Sequence, residues 1–235
     1  LENKGKKGYN IAQYVIFLRR YDMKKFMSMI LVFALTASVL TGCGGFKTDE
    51  SAIKVNKNGS VIQATIDTLD QDYYDSDELK EYVEGLVSAY LAENDATIKM
   101  TKFKVSDDVV TMYMTYDNAE TYSDFNGTTL FVGTVAEALA AGYDFDTTFY
   151  TITNGASADA DSSGNASISG NASGDAVSGD VTDTLDANVV ILSESISVTV
   201  PGTITYVSAN GTKMTSLKSV SIDNDASELT YIVYE

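Results

Sequence analysis

Residues 75–116 read DSDELKEYVEGLVSAYLAENDATIKMTKFKVSDDVVTMYMTY, and within them one hydrophobic periodicity gives way to another. Leu79, Tyr82, Val83, Leu86, Val87, Tyr90 and Leu91 recur at i, i+3, i+4, i+7, i+8, i+11 and i+12, one continuous apolar face of an amphipathic helix. Asp75 and Glu78 stand at capping-box spacing before it, and the helix is expected to run to about Ala92 and end near Asn94. From Thr97 the period drops to two. Thr97–Ser106 and Val109–Tyr116 read as a hairpin turning at Asp107-Asp108, with Met100, Lys102 and Lys104 alternating against Thr101, Phe103 and Val105. A long helix followed directly by an antiparallel hairpin predicts an α+β fold.

Toward the N-terminus, residues 52–67 (AIKVNKNGSVIQATID) read as another hairpin, with Asn58-Gly59 suited to a type I′ turn. Toward the C-terminus come a short helical turn from about Ala119 to Phe125, closed by Asn126-Gly127, and a brief strand, Leu130-Phe131-Val132. Thr134 and Glu137 make another capping box, opening a helix of about seven residues that stops at Gly142. Thr147–Thr153 reads as a strand. From 154 to 187 the composition turns to Gly, Ala, Ser, Asn and Asp, with SGNAS at Ser163–Ser167 and again at Ser169–Ser173. That composition predicts a flexible loop or linker. Residues 188–235 are β-rich: Asn188–Leu192, Ile196–Val200, Thr203–Ser208, Lys218–Ile222 and Leu229–Tyr234, with turns at Pro201-Gly202 and Asn210-Gly211. Five short strands are few for an independent core, so these are expected to complete the antiparallel sheet of residues 52–153; two small domains on a linker are the alternative.

The chain carries a net charge of −17, one Cys and no His. The first 42 residues hold seven of the basic residues and only two of the acidic ones, so from Cys43 onward nine Lys face thirty-one Asp plus Glu, a net −22. Such a balance excludes nucleic acid, where Lys and Arg dominate affinity, and argues against a protein lying on anionic lipid through a basic face. It fits a solvated, self-repelling surface. A single Cys allows no intramolecular disulfide. The absence of His removes the usual general base, the His-dependent triads and most zinc sites.

From Met23 the sequence is MKKFMSMILVFALTASVLTGC. Lys24 and Lys25 precede an apolar run from Phe26 to Leu40, about 15 residues and short of the roughly 20 needed to span a bilayer. Leu40-Thr41-Gly42-Cys43 then resembles the lipobox of bacterial lipoproteins: Leu at −3, a small residue at −2, Gly at −1 and Cys. The resemblance implies a signal peptide over 23–42 and cleavage of the Gly42–Cys43 bond, with Leu40, Thr41 and Gly42 recognised by the signal peptidase. It also implies a diacylglyceryl thioether on Cys43. Two acyl chains anchor stably, at about 0.8 kcal/mol per buried CH₂. Residues 1–22 are expected to be an upstream extension from a mis-assigned start, and 43–51 a tether reaching roughly 16 Å.

Candidate ligand sites are few. Asp70, Asp72 and Glu81 occupy positions 1, 3 and 12 of an EF-hand-like loop, but Tyr74 and Asp75 stand where a ligand and a Gly belong, so an acidic helix N-terminus is the expected role. Asp159, Asp161, Ser163 and Gly164 fit the start of such a loop but meet Gly170 at position 12. Tyr82, Tyr90, Phe103 and Tyr113 fall at core-compatible spacing. No metal or cofactor is expected. The segments Asp70–Asp77, Phe125–Thr134 and Ala141–Asp146 resemble small lipoproteins encoded by anaerobic gut Firmicutes, which implies an anchor in the outer leaflet of the cytoplasmic membrane. The expectation is a non-enzymatic envelope module that meets the membrane through Cys43 and binds an envelope component or a protein partner. An Asp/Glu-based hydrolase of envelope polysaccharide and a structural spacer are the alternatives.

Overall fold

A computed structural model describes residues 46–69, 75–152, 159–160, 166–167, 176–178, 180–209, 211–224 and 228–235. The fold is α+β. In chain order the elements are β1 (Ala52–Val55), β2 (Val61–Thr68), α1 (Ser76–Glu93), β3 (Ile98–Ser106), β4 (Val109–Tyr116), α2 (Ala119–Asn126), β5 (Leu130–Thr134), α3 (Val135–Ala140) and β6 (Thr148–Thr151). After them come β7 (Asp159–Ala160), β8 (Ala166–Ser167), β9 (Ala176–Ser178), a 3₁₀ turn at Asp180–Asp183, β10 (Asn188–Leu192), β11 (Ser197–Thr199), β12 (Ile204–Ser208), β13 (Thr212–Ser216), β14 (Ser219–Ile222) and β15 (Thr230–Tyr234).

Two sheets carry the structure. The first runs β13-β14-β11-β1-β2-β4-β3 and the second β5-β10-β15-β12-β6-β9, while β7 pairs with β8. Among the described residues every pairing is antiparallel except β1 with β11, which is parallel. The C-terminal strands are divided between the sheets: β11, β13 and β14 enter the first, β10, β12 and β15 the second.

The apolar runs of β10 and β15 explain their central place. Val190, Leu192, Ile232 and Tyr234 join the main core, which also takes Ile53, Val61, Met112 and Met114 from the first sheet. Val189, Ile191, Tyr231 and Val233 point the other way, into a second core closed by Val135, Ala138, Phe145 and Phe149. Strands buried on both faces need unbroken hydrophobic sequence rather than alternation, and each fully buried Val, Leu or Ile contributes roughly 1.5–3 kcal/mol. α1 lays Val83 and Tyr90 on the main core. Its N-cap is Asp75, whose carboxylate accepts from the N–H groups of Asp77 and Glu78. α3 has the full capping box between Thr134 and Glu137.

Several expectations are corrected. Of Asn58-Gly59 only the glycine has positive φ, at 81°, and Gly59 N–H donates to Asn56 O while Asn56 N–H donates to Ser60 O. The loop is therefore a turn closed by a left-handed glycine, not type I′. The primed geometry sits instead at Asp107 and Asp108, with φ of 52° and 61°. Strict alternation would put Met100 with Lys102 and Lys104, but the β3–β4 register breaks between Met100 and Lys102. Met100 pairs with Met114, Lys102 with Tyr113 and Phe103 with Met112, so the β-bulge at Thr101 turns Met100 and Phe103 to the core side together. β13 has no counterpart in the sequence reading. Its TKMTS is polar except for buried Met214, the composition of an edge strand.

Within the stretch expected to be a loop, 154–187, β9 pairs with β6 and Val181 and Ala187 are buried. The expected tether is also partly built into the fold. Phe46 meets Tyr113 edge-on, ring centroids 6.1 Å apart. It covers a small cluster of Ile62, Ala64 and Tyr113 on the face of the first sheet away from the main core. Ser197 Oγ donates to a Glu50 carboxylate oxygen at 2.5 Å.

Candidate functional site

Where the chain leaves β10 and crosses to β11, an acid meets two phenols in the body of the protein. Sequence dictates the frame. Asn118 caps α2 by accepting from Thr121 N–H at 2.8 Å, and Gly127 ends it in the left-handed conformation that glycine adopts without strain. The helix is thereby fixed with Tyr122, Phe125 and Asn126 turned inward, all buried. Tyr122 lies edge-on to Tyr116 of β4, centroids 5.0 Å apart.

The polar ends of these rings converge. Tyr122 hydroxyl donates to Glu194 Oε2 at 2.7 Å. Tyr116 hydroxyl donates to Gln63 Oε1 of β2 at 2.7 Å. Asn126 Nδ2 donates to Tyr122 O at 2.9 Å. The Thr128 hydroxyl lies 3.3 Å from that of Ser193 and is near enough to the Glu194 carboxylate to favour its ionised form.

Burial raises the Glu194 carboxyl above the usual carboxylate range, against the opposing pull of the Tyr122 and Thr128 hydroxyls, which stabilise the ionised form. Burial, reinforced by the Glu194 charge, pushes both phenols well above the ordinary tyrosine value, so both stay neutral donors. A partly buried acid of raised proton affinity beside a phenol donor can accept hydrogen bonds or orient a polar group. Among the described residues no group of three or more Asp, Glu or Cys is arranged to hold a metal ion.

The sequence-derived candidates are dispersed. Leu40, Thr41, Gly42 and Cys43 lie outside the described residues, as do Asp70, Asp72 and Tyr74. Asp75 is engaged as the α1 N-cap, and Glu81 lies within that helix. Asp159 belongs to β7, while Asp161, Ser163, Gly164 and Gly170 lie outside the described residues. Tyr82, Tyr90 and Phe103 pack in or against the main core or make contacts within the fold. Sequence reading missed Glu194. Its one signal is position: only Ser193 separates Glu194 from the apolar, buried run of β10.

Comparison with protein-family models, with curated proteins and with solved structures gives no match.

Proposed function

We propose that the chain is a lipid-anchored lipoprotein of the extracytoplasmic membrane face, and that its folded part is a non-enzymatic binding module held close to the lipid. The observation that carries the reading is the coincidence of the Leu40-Thr41-Gly42-Cys43 lipobox with a fold whose first described residue already packs. Phe46 is seated on the first sheet only three residues after Cys43, so extended chain between them reaches about 11 Å. Lipid on Cys43 would keep the module against the membrane.

The test is expression of the whole chain in a bacterium that processes lipoproteins. The wild type should partition into detergent and gain the mass of a diacylglyceryl group, whereas Cys43→Ala should do neither; equal partitioning of the two would sink the anchor. Binding is then read by thermal shift of the mature protein against cell-wall sugars, muropeptides and Ca²⁺. A ligand at about 100 times its Kd should stabilise by roughly 2.7 kcal/mol.

Glu194 favours one alternative, an Asp/Glu-based hydrolase, because a raised carboxyl suits a general acid. That chemistry needs a second carboxylate about 5–10 Å away. Turnover of an envelope polysaccharide that disappears in Glu194→Gln would overturn the non-enzymatic reading.

A further inference from the structure

The face of the first sheet that carries Phe46 has a charge opposite to the rest of the molecule. Strand register fixes which residues share it. Lys99 pairs with Thr115, Lys102 with Tyr113 and Lys104 with Thr111. Thr115 and Tyr113 pair in turn with Ile62 and Ala64 on β2, and Ile62 with Lys54 on β1. Across the parallel pairing Ala52 sits beside Ser197, Ser197 beside Ser221, and Ser221 beside Lys213. Cross-strand partners point to the same side of a sheet. Five of the nine lysines after Cys43 (Lys54, Lys99, Lys102, Lys104 and Lys213) therefore share this outer face. The strand positions that face it hold Ala, Ile, Val, Thr, Ser, Tyr and Lys, and one acid reaches it from the segment before β1, Glu50, whose carboxylate accepts from Ser197 Oγ.

Among the described residues none of these lysines forms an ion pair; the pair present, Lys80–Glu84, belongs to α1. Four of the five are exposed, and Lys54 is partly buried. Lys102 Nζ stands over the Tyr113 ring at 5.0 Å and Lys54 Nζ over Phe46 at 5.9 Å, so their stems cover apolar surface while the ammonium groups reach outward. α1, with Asp77, Glu78, Glu81, Glu84 and Glu93, packs on the opposite face of the same sheet. The molecule is thus basic on one side and acidic on the other, which its net charge conceals.

We propose that this outer face rests on the anionic headgroups of the membrane. The proposal rests on the lipoprotein reading and adds an orientation to it. Charge complementarity argues for anionic lipid, because lysines near a negatively charged leaflet are drawn to it and acidic α1 is repelled. Chain length argues the same way. The lipid-bearing residue would lie about 11 Å of extended chain from Phe46, on the side where the lysines are. Aromatic rings bracketed by lysines are the composition of a membrane–water interface.

The test uses the mature protein purified from cells and incorporated into vesicles of phosphatidylglycerol or of phosphatidylcholine, with lysine acetylation read by mass spectrometry. In phosphatidylglycerol the labelling of Lys99, Lys102, Lys104 and Lys213 should fall on the order of threefold or more relative to Lys80. The protection should vanish in phosphatidylcholine, and in 1 M salt, where the Debye length shrinks to about 3 Å. Lys99→Gln/Lys102→Gln/Lys104→Gln, all surface changes, should lose the protection of Lys213 while staying lipidated. Intact mass reports lipidation separately. Even labelling of a lipidated chain overturns the face and keeps the anchor. Protection in a chain without lipid keeps the face and overturns the anchor, and even labelling without lipid overturns both.

Discussion

Tyr122→Phe removes one hydroxyl and nothing else, so it reads the Glu194 cluster directly. The bond it deletes is 2.7 Å long and its acceptor is a partly buried carboxylate. Hydrogen bonds to charged groups contribute about 1.5–3 kcal/mol, and the partial exposure of Glu194 places this one toward the lower end. For a chain of this size the melting temperature should fall by about 3–8 °C. The loss has a sign in pH. The Tyr122 hydroxyl lowers the Glu194 pKa, so its removal lets burial raise that pKa further. The penalty is therefore greatest where Glu194 is ionised and shrinks as pH falls through its folded pKa.

Glu194→Gln completes a double-mutant cycle. Because the folded carboxyl is raised above its unfolded value of about 4.3, the wild type binds more protons folded than unfolded in that window and loses stability as pH rises through it. Glu194→Gln removes that fall, so its stability relative to wild type should climb from acid to neutral pH. Urea unfolding of the four proteins from pH 4 to pH 8, followed by circular dichroism, measures all of this. A Tyr122→Phe penalty as large at pH 4 as at pH 8, or undiminished when combined with Glu194→Gln, would refute the coupling.

Three further substitutions probe the frame. A Cβ on Gly202 would lie 2.1 Å from Glu235 O, against the paired Thr203–Glu235 backbone bonds of 2.7 and 3.0 Å; Gly202→Ala should cost about 2–4 kcal/mol in urea unfolding, and a change under about 0.5 kcal/mol would show that the clamp yields. Asp108→Gly at a φ of 61° should stabilise by about 0.5–1 kcal/mol in the same assay, with a loss of stability as the contrary result. Thr115 Oγ1 is buried without a partner among the described residues, so Thr115→Val should gain about 1 kcal/mol unless that hydroxyl has a role the fold depends on.

Local signals made much of the fold legible. The seven-residue apolar stripe and the Asp75 cap wrote α1, and Asn126-Gly127 and Thr134/Glu137 bounded α2 and α3. Unbroken apolar runs wrote β10 and β15. What escaped was what only cross-strand pairing decides. The bulge at Thr101 has no composition of its own, yet it turns Lys99 and Lys102, which alternation would place on opposite faces, to the same side. The basic face therefore exists only in the folded register. β13 hid because an edge strand needs just one buried side chain. Glu194 hid because its neighbours, Tyr122 of α2 and Thr128 of the following loop, lie more than sixty residues away in sequence.

The division of the C-terminal strands between two sheets sets the pace at which the molecule can form. β1 finds its parallel partner only 145 residues later, Ala52 beside Ser197, and β5 waits for Asn188–Leu192. Closing loops of this length before any contact rewards them makes folding slow, on the millisecond-to-second scale of domains dominated by distant strand pairs. Until residues beyond 188 arrive, β1 and β5 each offer an open edge. The chain thus has a long window in which these two edges stay unpaired and open to other strands.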